Sequence, residues 1–374
     1  MKTILPLLQI EIHFTDYKFG LICFITAFVA AMVAIPPVIA LVNKYRLHDV
    51  PDFRKEHSTP TPTLGGIAIM AGSVISLSFW FPFSFTPEIL TCILAVSILF
   101  AMGITDDLKN LSAKYKLTVE IALAALVALS GVRITTFGGL FGIFDLPASA
   151  QYTFTILAIV GVTNAFNLID GIDGLAGGLS FMSLVTLGIF LTISGDKSFA
   201  LFAFALAGSV LAFLYFNINP AKIFMGDTGS LVLGFVIAIL CTRIIQINRI
   251  SAQPLLKTAP LFALGMVLIP VFDTIRVFSL RIWKGRSPFD PDKTHIHHLL
   301  TNAGFSHGIT SRIICLIHGF ILIEVYWLKQ LRPEFILCTL IAMMTIVTFI
   351  FYNVHRLRKP EPVTDETGEY KLSA

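Results

Sequence analysis

Asn164-Ala165-Phe166-Asn167-Leu168-Ile169-Asp170-Gly171-Ile172-Asp173-Gly174-Leu175 interrupts a chain that is otherwise soluble in lipid. Asn164, Asn167, Asp170 and Asp173 recur every third residue, so on a helix they form one slowly drifting polar stripe. Ala165, Phe166, Leu168, Ile169 and Ile172 make the other face. Two carboxylates and two carboxamides on an apolar helix are costly in a membrane unless they face water, a cation or a polar ligand. The stripe is therefore a candidate site. The plain alternative is a helix end in solvent, with Asp and Asn as caps and Gly171, Gly174, Gly177 and Gly178 as a loop.

On either side of the stripe the chain reads as lipid-facing. Of its 374 residues 55% are hydrophobic and 13% charged, where a soluble domain carries about a quarter charged residues. The reading is an all-α polytopic membrane protein. Eleven apolar windows fit as spans, at about 19–42, 65–84, 88–105, 117–131, 153–168, 178–194, 199–217, 229–247, 259–280, 310–328 and 334–353. No connection between them is long enough for a second domain. Residues 1–358 are read as one transmembrane domain and 359–374 as a short polar tail. The first span has no cleavage-site pattern after it and is read as retained. Cys23, Cys92, Cys241, Cys315 and Cys338 are scattered singly, which argues against disulfides and a thiolate metal site.

With the N-terminus outside, seventeen lysines and arginines fall on one side of the spans and nine on the other. The positive-inside rule makes the richer side cytoplasmic, with the N-terminus periplasmic and the C-terminal tail cytoplasmic. Residues 132–151 alternate around glycines and predict a small β-hairpin on the periplasmic side.

Every polar motif lies in the cytoplasmic set, which argues for one composite site. Asp106-Asp107 closes the third span. Adjacent carboxylates on a helix point about 100° apart, so one faces the site while the other holds a lysine such as Lys114 or Lys116. Arg54, Lys55 and His57, with Gly65-Gly66 allowing close backbone approach, form a candidate phosphate cradle, against the plain reading of a stiff surface loop. The turn Phe224-Met225-Gly226-Asp227-Thr228-Gly229-Ser230 suits an anion yet carries Asp227. A divalent cation between carboxylate and phosphate resolves that conflict; an N-cap role for Asp227 is the alternative. Asp273 and Arg276, three apart in the ninth span, are read as a structural pair. His295, His297 and His298 follow a run of cations and suit a phosphate or sugar amide better than zinc.

Taken together, Asp106-Asp107, the stripe from Asn164 to Leu175, Phe224 to Ser230 and Pro291-Asp292-Lys293-Thr294-His295-Ile296-His297-His298 resemble the polyprenyl-phosphate N-acetylhexosamine-1-phosphate transferases. Within that superfamily the chain is similar to the WecA type, which acts on undecaprenyl phosphate. The resemblance covers about residues 19–353. It implies an enzyme of the bacterial inner membrane that moves N-acetylglucosamine 1-phosphate from its UDP donor to undecaprenyl phosphate and releases UMP, with Mg2+ or Mn2+. It places the metal on Asp227 and Asp170, and Asp106, Asp107, Asp170 and Asp173 in catalysis. Asn167, Asn217, Phe224, Gly226, His295, His297, His298, Lys114 and Lys116 form the substrate-binding set. The family pattern often has a third acid where this chain has Asn110. His-Ile-His-His and the absence of Thr before Asp170 separate the chain from the MurNAc-pentapeptide translocases.

Another UDP-N-acetylhexosamine donor remains an alternative, as does an ion-coupled transporter, which would need carboxylates nearer mid-membrane. No nucleic acid partner is expected, and a homodimer stays open. So does the choice between direct attack and a covalent Asp intermediate.

Overall fold

Helices whose apolar residues run all the way round must be enclosed by other helices or by lipid. A computed structural model describes residues 5–45, 48–49, 61–82, 85–251, 254–287 and 294–358, with the backbone alone for 5–16 and 48–49. Its elements in order are α1 (Leu5–Tyr45), β1 (His48–Asp49), β2 (Thr61–Pro62), α2 (Gly65–Trp80), α3 (Pro87–Lys109) and α4 (Ala113–Ser130). The hairpin β3 (Thr136–Leu140) and β4 (Ile143–Asp145) follows, then α5 (Ala148–Ile169), α6 (Leu175–Ile193), α7 (Lys197–Asn217) and α8 (Asp227–Ile250). The chain closes with α9 (Ala259–Trp283), α10 (Ile296–Thr301), α11 (His307–Trp327) and α12 (Pro333–Arg358).

Every window read as a span from the sequence has its own long helix. Among the described residues nine helices are long and apolar enough to cross a bilayer. The other two sit beside the polar end of the molecule. α2 has only 16 residues, and α4 carries Lys114, Lys116 and Glu120 within its 18. The multi-pass membrane architecture stands, with those two as its departures from uniform spans.

In α7 and α8, 83% of the apolar window is buried inside the protein, against 22% in α1 and α12. The first pair is therefore the centre of the bundle, and the second faces outward. Small residues make the centre dense: Ala203, Ala205, Ala207 and Ser209 of α7 are fully buried against their neighbours. One apolar cluster runs from Ala31 in α1 to Phe351 in α12. The expected hairpin is present, pairing Thr136 with Asp145 and Leu140 with Ile143. Arg249 of α8 holds Asp145 through two nitrogens at 2.7 and 2.8 Å.

At the opposite end, α2 and α8 begin in direct backbone contact. Gly66 N–H donates to Met225 O at 3.0 Å, and Gly65 N–H to Phe224 O at 2.9 Å. A Cβ on Gly66 would stand 2.6 Å from Gly229 Cα, so no other residue fits there without moving backbone. The close backbone approach that the glycine pair allows is thus taken up by another helix's entry turn. Arg54, Lys55 and His57 lie outside the described residues.

Candidate active site

Helix ends bring their polar groups to one place because each span must return its last residues to the same surface. A cavity of about 480 Å3 opens there between the ends of α3, α4, α5 and α8, and Asp106, Asp107, Lys116, Asn167, Asp170, Asp173, Asn217, Phe224, Gly226, Asp227 and His298 line it.

Lys116 is the pivot. Ser112 caps α4, so Lys116 stands on the helix one turn in and points back over that turn. Its Nζ donates to Asp106 Oδ2 at 2.6 Å and to Asp227 Oδ2 at 2.9 Å. Asp106 also accepts from Leu111 N–H at 2.7 Å. Asp227 receives Asn167 Nδ2 at 2.9 Å, and the same Asn167 nitrogen lies 3.0 Å from Ser230 Oγ. Lys114 is exposed and is not brought to the cavity.

Asp107 also borders the cavity, but its carboxylate is spent on the start of α8. It accepts from Asp227 N–H at 2.8 Å and from Thr228 N–H at 3.0 Å, and Thr228 Oγ1 donates to it as well. It therefore caps α8 from a different helix, where an anion also suits the dipole. The N-cap alternative for Asp227 fails for the same reason: Asp227 is the first helical residue, and Gly226 before it makes no side-chain cap. Gly226 has φ 72°, and a Cβ there would stand 2.6 Å from Asp107 Oδ2. Glycine is what lets Asp107 reach the helix end. The sequence reading had one acid of the pair facing the site and the other holding a lysine, without saying which. In the fold the first acid holds Lys116 and the second holds a helix.

The stripe enters at the end of α5. Asp170 faces the cavity, and among the described residues no hydrogen bond or ion pair reaches its carboxylate. Burial, then the charges of Asp227, Asp107 and Asp173, push its pKa up to about 7. Asp173 is held instead. Asn219 Nδ2 donates to its Oδ2 at 2.9 Å and Ala221 N–H at 3.1 Å, with His307 Nδ1 3.7 Å from Oδ1. Burial alone would raise Asp173; His307, Asn219 and the Ala221 N–H outweigh it and hold the carboxyl below the usual range. Asn217 spends its carboxamide on backbone, accepting from Gly174 N–H and donating to Ile223 O, both at 2.8 Å. It braces the cavity wall.

His298 alone of the three histidines lines the cavity. His297 packs behind it with ring centroids 4.3 Å apart, and His295 stacks on His297 at 5.8 Å. His295 Nδ1 lies 2.8 Å from Asp273 Oδ2, while Asp273 Oδ1 receives Arg276 at 2.7 Å and Ile296 N–H at 3.0 Å. The Asp273–Arg276 pair is present as read from the sequence, and it also anchors the histidine segment.

No three histidine, cysteine, aspartate or glutamate side chains among the described residues form a ready-made metal cage. Mg2+ does not require one, because it keeps several waters and takes one or two carboxylates with substrate phosphates. Asp227 and the unpartnered Asp170 match that donor set.

Comparison with known proteins agrees with the motifs. Residues 89–245 match the model of Glycosyl transferase family 4. Over 350 residues the chain is 35% identical to a probable undecaprenyl-phosphate N-acetylglucosaminyl 1-phosphate transferase of Bacillus subtilis (strain 168), covering 91% of this chain and 94% of that one. The chain belongs to glycosyl transferase family 4.

Two more relatives are named undecaprenyl-phosphate alpha-N-acetylglucosaminyl 1-phosphate transferase. That of Escherichia coli (strain K12) is 32% identical over 272 residues, covering 71% of this chain and 72% of its own. That of Yersinia pestis is 34% identical over 285 residues, covering 75% and 74%. Within the family pattern, Asn110 now has a physical reason: it ends α3 with φ 51°, a left-handed position that suits Asn better than an acid burdened by neighbours. Glu120, Asn219 and Asp273 were not in the expected site. Glu120 carried a legible signal, a charged residue inside an apolar window. Asn219 had none, because its partner lies 46 residues away.

Proposed function

We propose that the chain transfers N-acetylglucosamine 1-phosphate from UDP-N-acetylglucosamine to undecaprenyl phosphate, forming undecaprenyl-diphospho-N-acetylglucosamine and UMP. The observation that carries this reading is the convergence of Asp106, Asp170, Asp227, Lys116 and His298 on one cavity at the end of a bundle of apolar helices. A lipid acceptor and a water-soluble phosphate donor meet only at such a place. The names of the relatives supply the substrates.

An oxygen of the lipid phosphate attacks the sugar-linked phosphorus; the bond from that phosphorus to the bridging oxygen breaks, and UMP leaves in line. The lipid phosphate needs little help to ionise, since second phosphate pKa values lie near ~6. Asp106, fixed by Leu111 N–H and Lys116, orients the acceptor. Lys116 offers its charge to the phosphates, Asn167 keeps Asp227 aimed into the cavity, and His298 faces the donor. Asp227 and Asp170 would hold Mg2+ or Mn2+, which would supply neutralisation of phosphate charge. Asp173 and Asn217 keep the wall in shape. The positive-inside bias supports a cavity that opens to the cytoplasm, where the nucleotide is available.

The test is UMP release by purified protein in detergent with undecaprenyl phosphate, Mg2+ and a panel of UDP-N-acetylhexosamines. UMP that depends on lipid and metal with the N-acetylglucosamine donor is expected. Activity with another donor alone would change the sugar and keep the chemistry. No lipid-dependent UMP with any donor would overturn the reading.

A further inference from the structure

Glu120 takes no part in the site as described, yet it stands beside it. It lies four residues beyond Lys116 on α4 and is 1% exposed. Its hydrogen-bond partner is the Asn164 carboxamide nitrogen, which also donates to Val160 O at 3.0 Å. Among the described residues no cation pairs with it. A buried carboxyl held by a carboxamide alone is costly in its charged form in a helix that faces lipid, unless a cation comes to it.

Residues four apart on a helix are neighbours, so the cation within reach of Glu120 is Lys116. Lys116 is committed elsewhere, to Asp106 and Asp227. One ammonium thus has three carboxylates near it and bonds two of them, and it lies against an oxygen that a divalent cation would need on Asp227. With a divalent cation on Asp227, Lys116 would share a ligand with another positive charge, while Glu120 still lacked a partner.

Resting on the metal-dependent reading above, we propose that Glu120 is a positioning residue: Lys116 exchanges Asp227 for Glu120 when a divalent cation binds. Before binding, Lys116 neutralises Asp106 and Asp227 and holds α3, α4 and α8 together. After binding, its charge sits one turn deeper on α4, and Asp227 is released to its ion. A bound cation biases this two-position side chain because it favours one position over the other. Asn164 presents Glu120 for that exchange, which gives the first residue of the polar stripe a task.

The experiment is Mn2+ binding without substrates, read from the paramagnetic resonance of free Mn2+, on the full chain in detergent. Four proteins are compared: wild type, Lys116→Met, Glu120→Gln and the double variant. Lys116→Met should tighten Mn2+ by about tenfold, because a competitor is gone; Glu120→Gln should weaken it by about fivefold; and in the Lys116→Met background Glu120→Gln should change it by less than about twofold. That loss of effect is what an exchange requires. An equal effect of Glu120→Gln in both backgrounds would mean that Glu120 acts by its charge alone and would overturn the exchange. No effect in either background would make it a structural partner of Asn164 and would equally overturn it. Glu120→Met takes the place of Glu120→Gln if the latter does not give folded protein. Failure of folded wild type to bind Mn2+ at all would remove the metal reading itself, and the exchange with it.

Discussion

Asp106 and Asp107 are adjacent in the chain and serve opposite sides of a helix end. Asp106 faces Lys116 and the cavity. Asp107 receives the first N–H groups of α8 and so fixes where Asp227 stands. Removing charge from the two should therefore differ in kind. Asp227→Asn is expected to lower UMP release by at least about a thousandfold, while its stability falls by less than about 1 kcal/mol, since the part-exposed Lys116 contact is what it loses. Asp107→Asn leaves one acceptor of two, and should cost about 1 kcal/mol of stability with a smaller loss of activity. Rates and detergent unfolding curves measured on both variants check the contrast; equal damage to stability would assign Asp227 a structural place. That the two acids would take different partners was legible from about 100° of helix rotation, although both border the cavity. Which acid would take which was not, because the deciding partner, the α8 N-terminus, is 120 residues away in sequence. Asp227 was legible as an acid in an anion-friendly turn, and its N-cap alternative failed only once Asp107 was seen in that place.

At the scale of elements the long helices were legible because lipid imposes one rule on each of them. The exceptions are where function intrudes. α4 starts at Ala113, four residues before the apolar window, so Lys116 belongs to a rigid helix and not to a loop. α2 starts where its apolar window does, in contact with the entry turn of α8, and is short because it stops at Trp80, before Phe81-Pro82. Gly66→Ala should lower stability by about 1–3 kcal/mol, as overpacking against backbone does, and should reduce activity because that turn carries Asp227. Gly161→Ala is the matched control: nothing lies within 4 Å of its added Cβ, in mid-helix, so stability should stay or rise by up to about 1 kcal/mol. Equal loss in the two variants would dismiss the α2–α8 contact as the cause. The histidine segment follows the same logic one layer out. Asp273 touches no cavity atom but fixes His295 and Ile296 N–H, so Asp273→Asn should raise the KM for the UDP-sugar as His298→Ala does. The three histidines were legible as a group. Their layering was not, since it depends on an acid in α9 that the sequence explained fully by Arg276.

For the whole molecule the decisive question is which end faces the nucleotide pool. The helices gather the acidic cavity at one end and the hairpin β3–β4 at the other, so fixing either end fixes both. Charge gives the direction: the lysines and arginines of the cavity end outnumber those of the hairpin end by seventeen to nine when the whole chain is read. At the hairpin end, Arg243 is paired with Asp196 and Arg249 with Asp145. These pairs tie α8 to the α6–α7 connection and to the hairpin, which gives their charge a local structural use. Among the described residues Lys116 is the cation that lines the cavity, and the further positive charge of that side would add a field that attracts anionic substrates. Natural cysteines allow a direct check, because Cys23, Cys92 and Cys241 are buried and only Cys315 and Cys338 are open to any degree. With those two replaced by serine, Ser149→Cys, exposed beside the hairpin, and Lys109→Cys, exposed beside the cavity, report on the two ends. In intact spheroplasts a membrane-impermeant maleimide should label the Ser149→Cys protein and spare the Lys109→Cys protein until the membrane is opened. Labelling in the reverse order would place the carboxylates outside, away from UDP-sugars, and the proposed reaction could not run in that orientation whatever the geometry of its residues.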